Sequence, residues 1–224
     1  MPRPVRVLCL HGFRTNDKVM MNQTRGLRAA LGDRAEFIYL NGLFEARGPS
    51  DDTIRKHHAE DGPFYEWYDV RPADAHEVQN PVYGVRYDGL EDAIRWMDEQ
   101  MQILGPVDVV VGFSQGAVLL TILTMYYWKT QKKLYWKLCV CVGGVRVRDV
   151  ACEDLFEDGK GLDTVPLPSI HIAGQKDPFH SESLQLANRR VAGQYAAFYA
   201  ELATVVLGLC QNDSNAADYQ HARL

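Results

Sequence analysis

Short, mostly apolar runs rich in Val and Ile alternate along this chain with longer segments of helical spacing, and that alternation restricts the fold more than any other feature. The runs occupy residues 5–10, 36–40, 107–111, 138–142, 169–173 and 204–207, the length and composition of strands buried on both faces. Residues 19–31, 89–104, 115–128 and 181–200 carry the helical spacing, the third with Val118, Ile122, Met125 and Tyr126 as its apolar set. The order predicts a βαβ architecture, with a mostly parallel central sheet and helices on both faces. In such sheets chemistry collects at the carboxyl ends of the strands.

One stretch interrupts the pattern. Residues 41–86 are rich in Gly, Pro, His and acidic residues, with an aromatic cluster of Phe64, Tyr65, Trp67 and Tyr68. A loop-rich insertion of this length reads as a lid or a binding segment, or as aromatics packed on the sheet edge. With 224 residues, 46% of them apolar and 24% charged, the chain can bury a core without metals or disulfides. The expected organisation is a single domain over residues 1–210 followed by a polar tail at 211–224.

A net charge of −5 and a pI near 5.8 argue against general binding to nucleic acid or anionic lipid, so a small-molecule ligand is expected. No apolar stretch approaches the 18 or so residues of a membrane span, and the first ten residues lack the pattern of a secretory signal. The five cysteines are odd in number, and Cys9, Cys139 and Cys141 lie in apolar runs. They read as reduced core residues of a cytoplasmic protein.

The chemical signal is Gly112-Phe113-Ser114-Gln115-Gly116, set directly between a strand and a helix. A random chain of this composition would contain Gly-x-Ser-x-Gly about 0.04 times, before the strand-turn-helix context is required. The pattern is that of a nucleophile elbow: a sharp turn that strains the serine backbone, small residues on either side, and Oγ projecting above the sheet. The amide of Gln115, in the first turn of the helix, is then available to an oxyanion. Leu10-His11-Gly12-Phe13 follows the first strand, and the amide of Phe13 is the candidate for the second oxyanion donor. His11 reads as a structural loop residue, grouped with Phe64 and Trp67 around the substrate pocket. Asp177 follows the run at 169–173 and a Gly turn, where the acid of a Ser, Asp, His chain order belongs; a turn aspartate before Pro178 is the plainer reading.

These residues resemble the FSH family of serine hydrolases, small α/β-hydrolases similar to esterases and acyl thioesterases. The resemblance is carried by Val-Leu-Cys-Leu-His11-Gly-Phe-Arg-Thr-Asn16, Tyr65-Glu-Trp67-Tyr, Tyr87-Asp-Gly-Leu, the stretch from Gly105 through Ser114 to Ala117, and His171-Ile-Ala-Gly-Gln-Lys-Asp177. It covers about residues 5 to 207. It implies the α/β-hydrolase fold and an esterase-like enzyme without a cofactor, with Ser114 as nucleophile, Asp177 as triad acid, and Phe13 and Gln115 as backbone oxyanion donors.

The chain departs from that pattern where the base belongs. After the strand expected at 204–207 it reads Gly208-Leu-Cys-Gln-Asn-Asp-Ser, without the Gly-Gly-His type of turn, and no histidine lies between His180 and His221. His221 has the right chain order, 14 residues beyond the strand. His180 lies three residues after Asp177 and is the alternative. A serine without a base is a weak nucleophile, so the reading from another class is a hydrolase-fold binding or interaction protein that cannot turn over.

Other clusters are discounted. Adjacent His57 and His58 with nearby acids lack the spacing of a metal site, and Cys139 and Cys141 share one face of a buried strand; no metal is expected. The basic stretch from Lys129 to Arg148, with Trp128 and Trp136 interleaved, reads as a solvated helix end and loop.

Overall fold

The computed structural model of the chain describes residues 3–157 and 165–190. In chain order its elements are β1 (Val5–Leu10), α1 (Asp17–Gln23), α2 (Arg25–Leu31), β2 (Ala35–Leu40), β3 (Phe44–Glu45), α3 (Asp52–His57), β4 (Tyr65–Glu66), β5 (Asp69–Pro72) and β6 (Val85–Asp88). They continue with α4 (Leu90–Leu104), β7 (Val109–Phe113), α5 (Gln115–Tyr126), β8 (Leu138–Val142), α6 (Glu153–Phe156), β9 (Ser169–Ile172) and α7 (His180–Arg190). The central sheet is parallel throughout, in the order β2-β1-β7-β8-β9.

Alternation along the strands divides the core in two, as a period of two requires. Leu8, Leu10, Val110, Cys139 and Cys141 face one layer with Met97 and Met101 of α4, much of α5, and Trp67 and Tyr68 of the insertion. Val7, Cys9, Val109, Val111, Leu138 and Val140 face the other, closed by Met20 of α1 and by Leu27 and Leu31 of α2. Helix α5 is buried at every position from Gln115 to Met125, so its apolar residues surround the axis rather than forming the single stripe read from its sequence.

Three element boundaries differ from the sequence expectation for local reasons. The helix expected over 19–31 is broken at Thr24, whose hydroxyl donates to Met20 O (2.8 Å) and also bonds the Tyr39 hydroxyl (2.7 Å), competing with the regular ladder. The strand expected at 107–111 runs instead over Val109–Phe113, because Asp108 is spent in the approach: its carboxylate holds Arg3 (2.7 and 2.8 Å) and the Arg6 amide (2.9 Å). Helix α5 widens after Tyr126 into a π turn over Tyr127–Gln131, closed by Lys132 in the left-handed region (φ 51°).

The insertion is not the loop that its composition suggests. It folds as two antiparallel ribbons, β3 with β4 and β5 with β6, with α3 in the connection from β3 to β4, and Asp51 caps α3 by accepting from Thr53 N (2.8 Å) and Ile54 N (3.1 Å). Trp67, Tyr68 and Tyr83 are fully buried. Among the described residues no helix is long and apolar enough to cross a membrane. The strand expected at 204–207, the end of the helix expected over 181–200 and the tail at 211–224 lie outside the described residues.

Candidate active site

Parallel pairing brings the carboxyl ends of β1, β7, β8 and β9 side by side, and the residues singled out from the sequence follow those ends. Leu10 pairs with Gly112, Phe113 with Val142, and Val142 with Ile172.

Ser114 leaves β7 with φ 49° and ψ −113°, a conformation that costs a side-chain-bearing residue on the order of 1–3 kcal/mol and persists only where its surroundings hold it. They do. The Ser114 amide donates to Val142 O on β8 (2.8 Å), and its carbonyl accepts from Ala117 N (2.9 Å) and Val118 N (3.1 Å) in the first turn of α5. Both flanking glycines are sterically required. A Cβ on Gly112 would lie 2.5 Å from Gly116 O, and one on Gly116 would lie 2.3 Å from Leu10 O and 2.6 Å from His11 O, all backbone atoms with no room to give. The helix thus starts pressed against the loop that leaves β1.

That loop is built around His11, which is fully buried. Its Nδ1 lies 2.7 Å from Gly12 O, which can only accept, and its Nε2 faces the Gly42 amide (2.8 Å), which can only donate. The ring is therefore neutral with its proton on Nδ1. Burial pushes its pKa down to about 4, against the pull of the Gly12 carbonyl. Gly12 O receives a second hydrogen bond from Thr15 Oγ1 (2.9 Å). In a trans peptide the N–H points opposite to the C=O, so two donors holding Gly12 O inward turn the Phe13 N–H outward. Phe13 itself is 38% exposed. The next residue, Arg14, has φ 51°; its guanidinium is tied to the buried Glu66 (Nε to Oε2, 3.0 Å) and lies 4.5 Å from the Phe13 ring centroid.

Asp177 occupies the turn after β9. Its amide donates to Gly174 O (3.0 Å), and its carboxylate accepts from Phe179 N (2.8 Å). The other carboxylate oxygen lies 3.4 Å from the Cβ position that a side chain would take at Gly143, a residue with φ +58° directly after β8. Asp177 therefore stands over the end of the strand whose Val142 holds the Ser114 amide. It is both a turn aspartate and a residue at the sheet's carboxyl edge. His180 opens α7, with Nδ1 3.0 Å from Gly174 O, so that nitrogen donates there. His221 lies outside the described residues.

The three residues grouped around a substrate pocket separate. Phe64 is partly buried. His11 and Trp67 are fully buried. The Trp67 indole stacks at a tilt against the His11 ring (centroids 4.9 Å apart), and its Nε1 donates to His11 O (2.8 Å). Sequence reasoning missed the Gln115 side chain. Its carboxamide is buried, accepting from Trp67 N (3.1 Å) and donating to Tyr68 O (2.6 Å). A polar residue opening an otherwise apolar buried helix was the available signal, since such a group needs partners.

Among the described residues no group of three or more His, Cys, Asp or Glu side chains is placed to hold a metal. His58 bonds Asp61 instead (2.7 Å), and Cys139 and Cys141 are core residues.

The chain is 29% identical over 195 residues to human esterase OVCA2, covering 84% of this chain and 83% of that protein. It is 27% identical over 199 residues to the dihydromonacolin L-(lovastatin nonaketide synthase) thioesterase of Aspergillus terreus, covering 78% and 74%. Among solved structures it superposes on esterase PE8 with a TM-score of 0.55 at 17% identity, over 92% of this chain and 93% of that one, a likeness of α/β-hydrolase fold. Residues 1–199 match the family described as "Serine hydrolase (FSH1)", which spans the strained serine, the His-Gly loop and the acidic turn described above, and the chain belongs to that family.

Proposed function

We propose that this serine hydrolase cleaves a small carboxylic ester or thioester through an acyl-enzyme on Ser114. The observation that carries the reading is the strained backbone of Ser114, held by β8 and by the first turn of α5 between two glycines that admit no side chain. A fold has no structural reason to keep such strain at a serine, and strain of this kind belongs to a nucleophile that must stand clear of the sheet.

In the proposed sequence Ser114 Oγ attacks the acyl carbon while its proton passes to a histidine base. The amides of Phe13 and Gln115 receive the developing oxyanion. Collapse of the tetrahedral intermediate expels an alkoxide or thiolate, which takes the proton from the base. Water, deprotonated by the same base, then releases the acid and restores Ser114. Asp177 orients the base, and His221, the last histidine of the chain, takes that role. Relatives named as an esterase and as a thioesterase share this acyl-transfer chemistry, which supports both leaving groups.

The test is labelling by a fluorophosphonate read by intact mass, with Ser114→Ala, His221→Ala and His180→Ala beside the wild type. We expect one adduct on the wild type, none on Ser114→Ala, and strongly slowed labelling of His221→Ala but not of His180→Ala. A folded wild-type chain that takes no label would overturn the acyl-enzyme. Loss of labelling in His180→Ala alone would move the base to that residue.

A further inference from the structure

We infer that Gln115 and Trp67 are positioning residues that hold the two oxyanion amides in register, so that the insertion braces the catalytic site instead of closing over it. The inference rests on the acyl-enzyme reading above.

The two amides belong to different elements. Gln115 N is in the first turn of α5, and Phe13 N is on the loop after β1. Both elements are tied to a single residue of the insertion. The Gln115 carboxamide accepts from Trp67 N (3.1 Å) and donates to Tyr68 O (2.6 Å). The Trp67 indole donates to His11 O (2.8 Å), one peptide before the group whose carbonyl His11 and Thr15 hold inward. From Gln115 to Gly12 the path is an unbroken series of buried hydrogen bonds through Trp67, which is wholly enclosed. The insertion also meets the loop through a second hydrogen bond, from its backbone to a loop side chain. His11 Nε2 accepts from Gly42 N (2.8 Å), and a Cβ on Gly42 would lie 2.6 Å from Glu66 O, next to Trp67.

Every donor and acceptor in this series has a partner inside the protein, and none is spent on holding the insertion's outer surface. Such a network fixes position where an apolar contact would allow sliding. An oxyanion hole depends on two donors preset around one oxygen, and a displacement of about 1 Å in such a group can cost on the order of 10²-fold in rate.

The experiment compares the full-length wild type with Gln115→Met, Gln115→Glu and Trp67→Phe. The readouts are the second-order rate of phosphonylation by a fluorophosphonate, kcat and KM for a p-nitrophenyl ester, and thermal melting. Gln115→Met keeps the backbone amide and the side-chain length but loses both hydrogen bonds. Gln115→Glu keeps the acceptor for Trp67 N and loses the donor to Tyr68 O. Trp67→Phe loses only the indole N–H among the polar groups. We expect labelling and kcat to fall about 10–100-fold in Gln115→Met with KM little changed. The other two variants should fall less, and all should be folded at the assay temperature. If Gln115→Met does not fold, Gln115→Glu and Trp67→Phe carry the test. Rates within twofold of wild type, or a slowing that vanishes when rates are referred to the folded fraction, would overturn the brace and leave the acyl-enzyme standing. A wild type that takes no label removes the acyl-enzyme, and the brace with it.

Discussion

The two halves of the candidate site are built differently. On the nucleophile side, His11, Gln115 and Trp67 are joined by hydrogen bonds that tie the loop after β1 and the start of α5 to the insertion, and all three side chains are buried. On the acid side, Asp177 is held by bonds to Gly174 and Phe179, its neighbours in the chain, within a turn whose residues Gly174, Gln175 and Lys176 are exposed. The difference teaches that the two halves fail differently. Damage on the nucleophile side must pass through the core, whereas damage on the acid side can leave the fold untouched.

The sharpest way to break this comparison is Asp177→Asn. Carboxamide for carboxylate keeps an oxygen for Phe179 N and the shape of the turn, so the urea midpoint should move little while ester turnover falls about 10⁴-fold. An equal loss of stability and activity would show that the acid side is as deeply wired as the other. Gly116→Ala is the counterpart on the nucleophile side. Its Cβ would enter the backbone of Leu10 and His11, and a destabilisation of about 3 kcal/mol or more is expected by urea titration. Gly143→Ala, which meets only the Asp177 carboxylate at 3.4 Å but sits at positive φ, should cost about 1–2 kcal/mol. If the two alanines cost the same, the asymmetry is wrong.

His11 sets a pH signature on the buried half. Its folded pKa of about 4 lies below its ordinary value of 6.5, so between these values the unfolded chain binds the proton first. Stability therefore rises with pH through that window, and acidification from 6.5 towards 4 removes on the order of 3 kcal/mol at this site. His11→Asn should be less stable at pH 7 and show a flatter slope over the same range. Denaturant titrations at pH 4.5, 5.5 and 6.5 decide it, and parallel slopes would sink the assignment. The smallest effect is expected for Thr15→Val, which removes one of the two donors to Gly12 O at a cost of about 1 kcal/mol.

The buried strands and the elbow were legible in the sequence because their causes are local. Continuous apolar runs place Val5–Leu10 and Leu138–Val142 to the residue, and Gly112 and Gly116 betray the close approach that later proves to be backbone against backbone. What was not legible depends on partners far along the chain. Trp67 reads as a pocket aromatic until its indole is seen bonded to a carbonyl 56 residues earlier. Gln115 reads as an amide donor until its side chain is found 48 residues from the Trp67 amide that it accepts. The insertion misled because its polar composition describes its outer surface, while three of its aromatic rings belong to the core. The base was hard to place for a different reason: both candidates, His180 and His221, depart from the family turn, and spacing alone does not choose between them.

The pairing of Gly42 with His11 and of Trp67 with Gln115 also bears on how the molecule opens. Backbone amides sealed by buried side chains exchange with solvent only when the surrounding structure comes apart. The Gly42 and Trp67 N–H groups should thus share the protection of the central strands, although both lie in the segment between β2 and α4. Hydrogen exchange would then find the insertion's inner edge and the sheet unfolding as one cooperative unit. A segment of that kind is no exchangeable module: transplanting a relative's insertion to alter substrate range would import a new wall for the loop after β1 along with it.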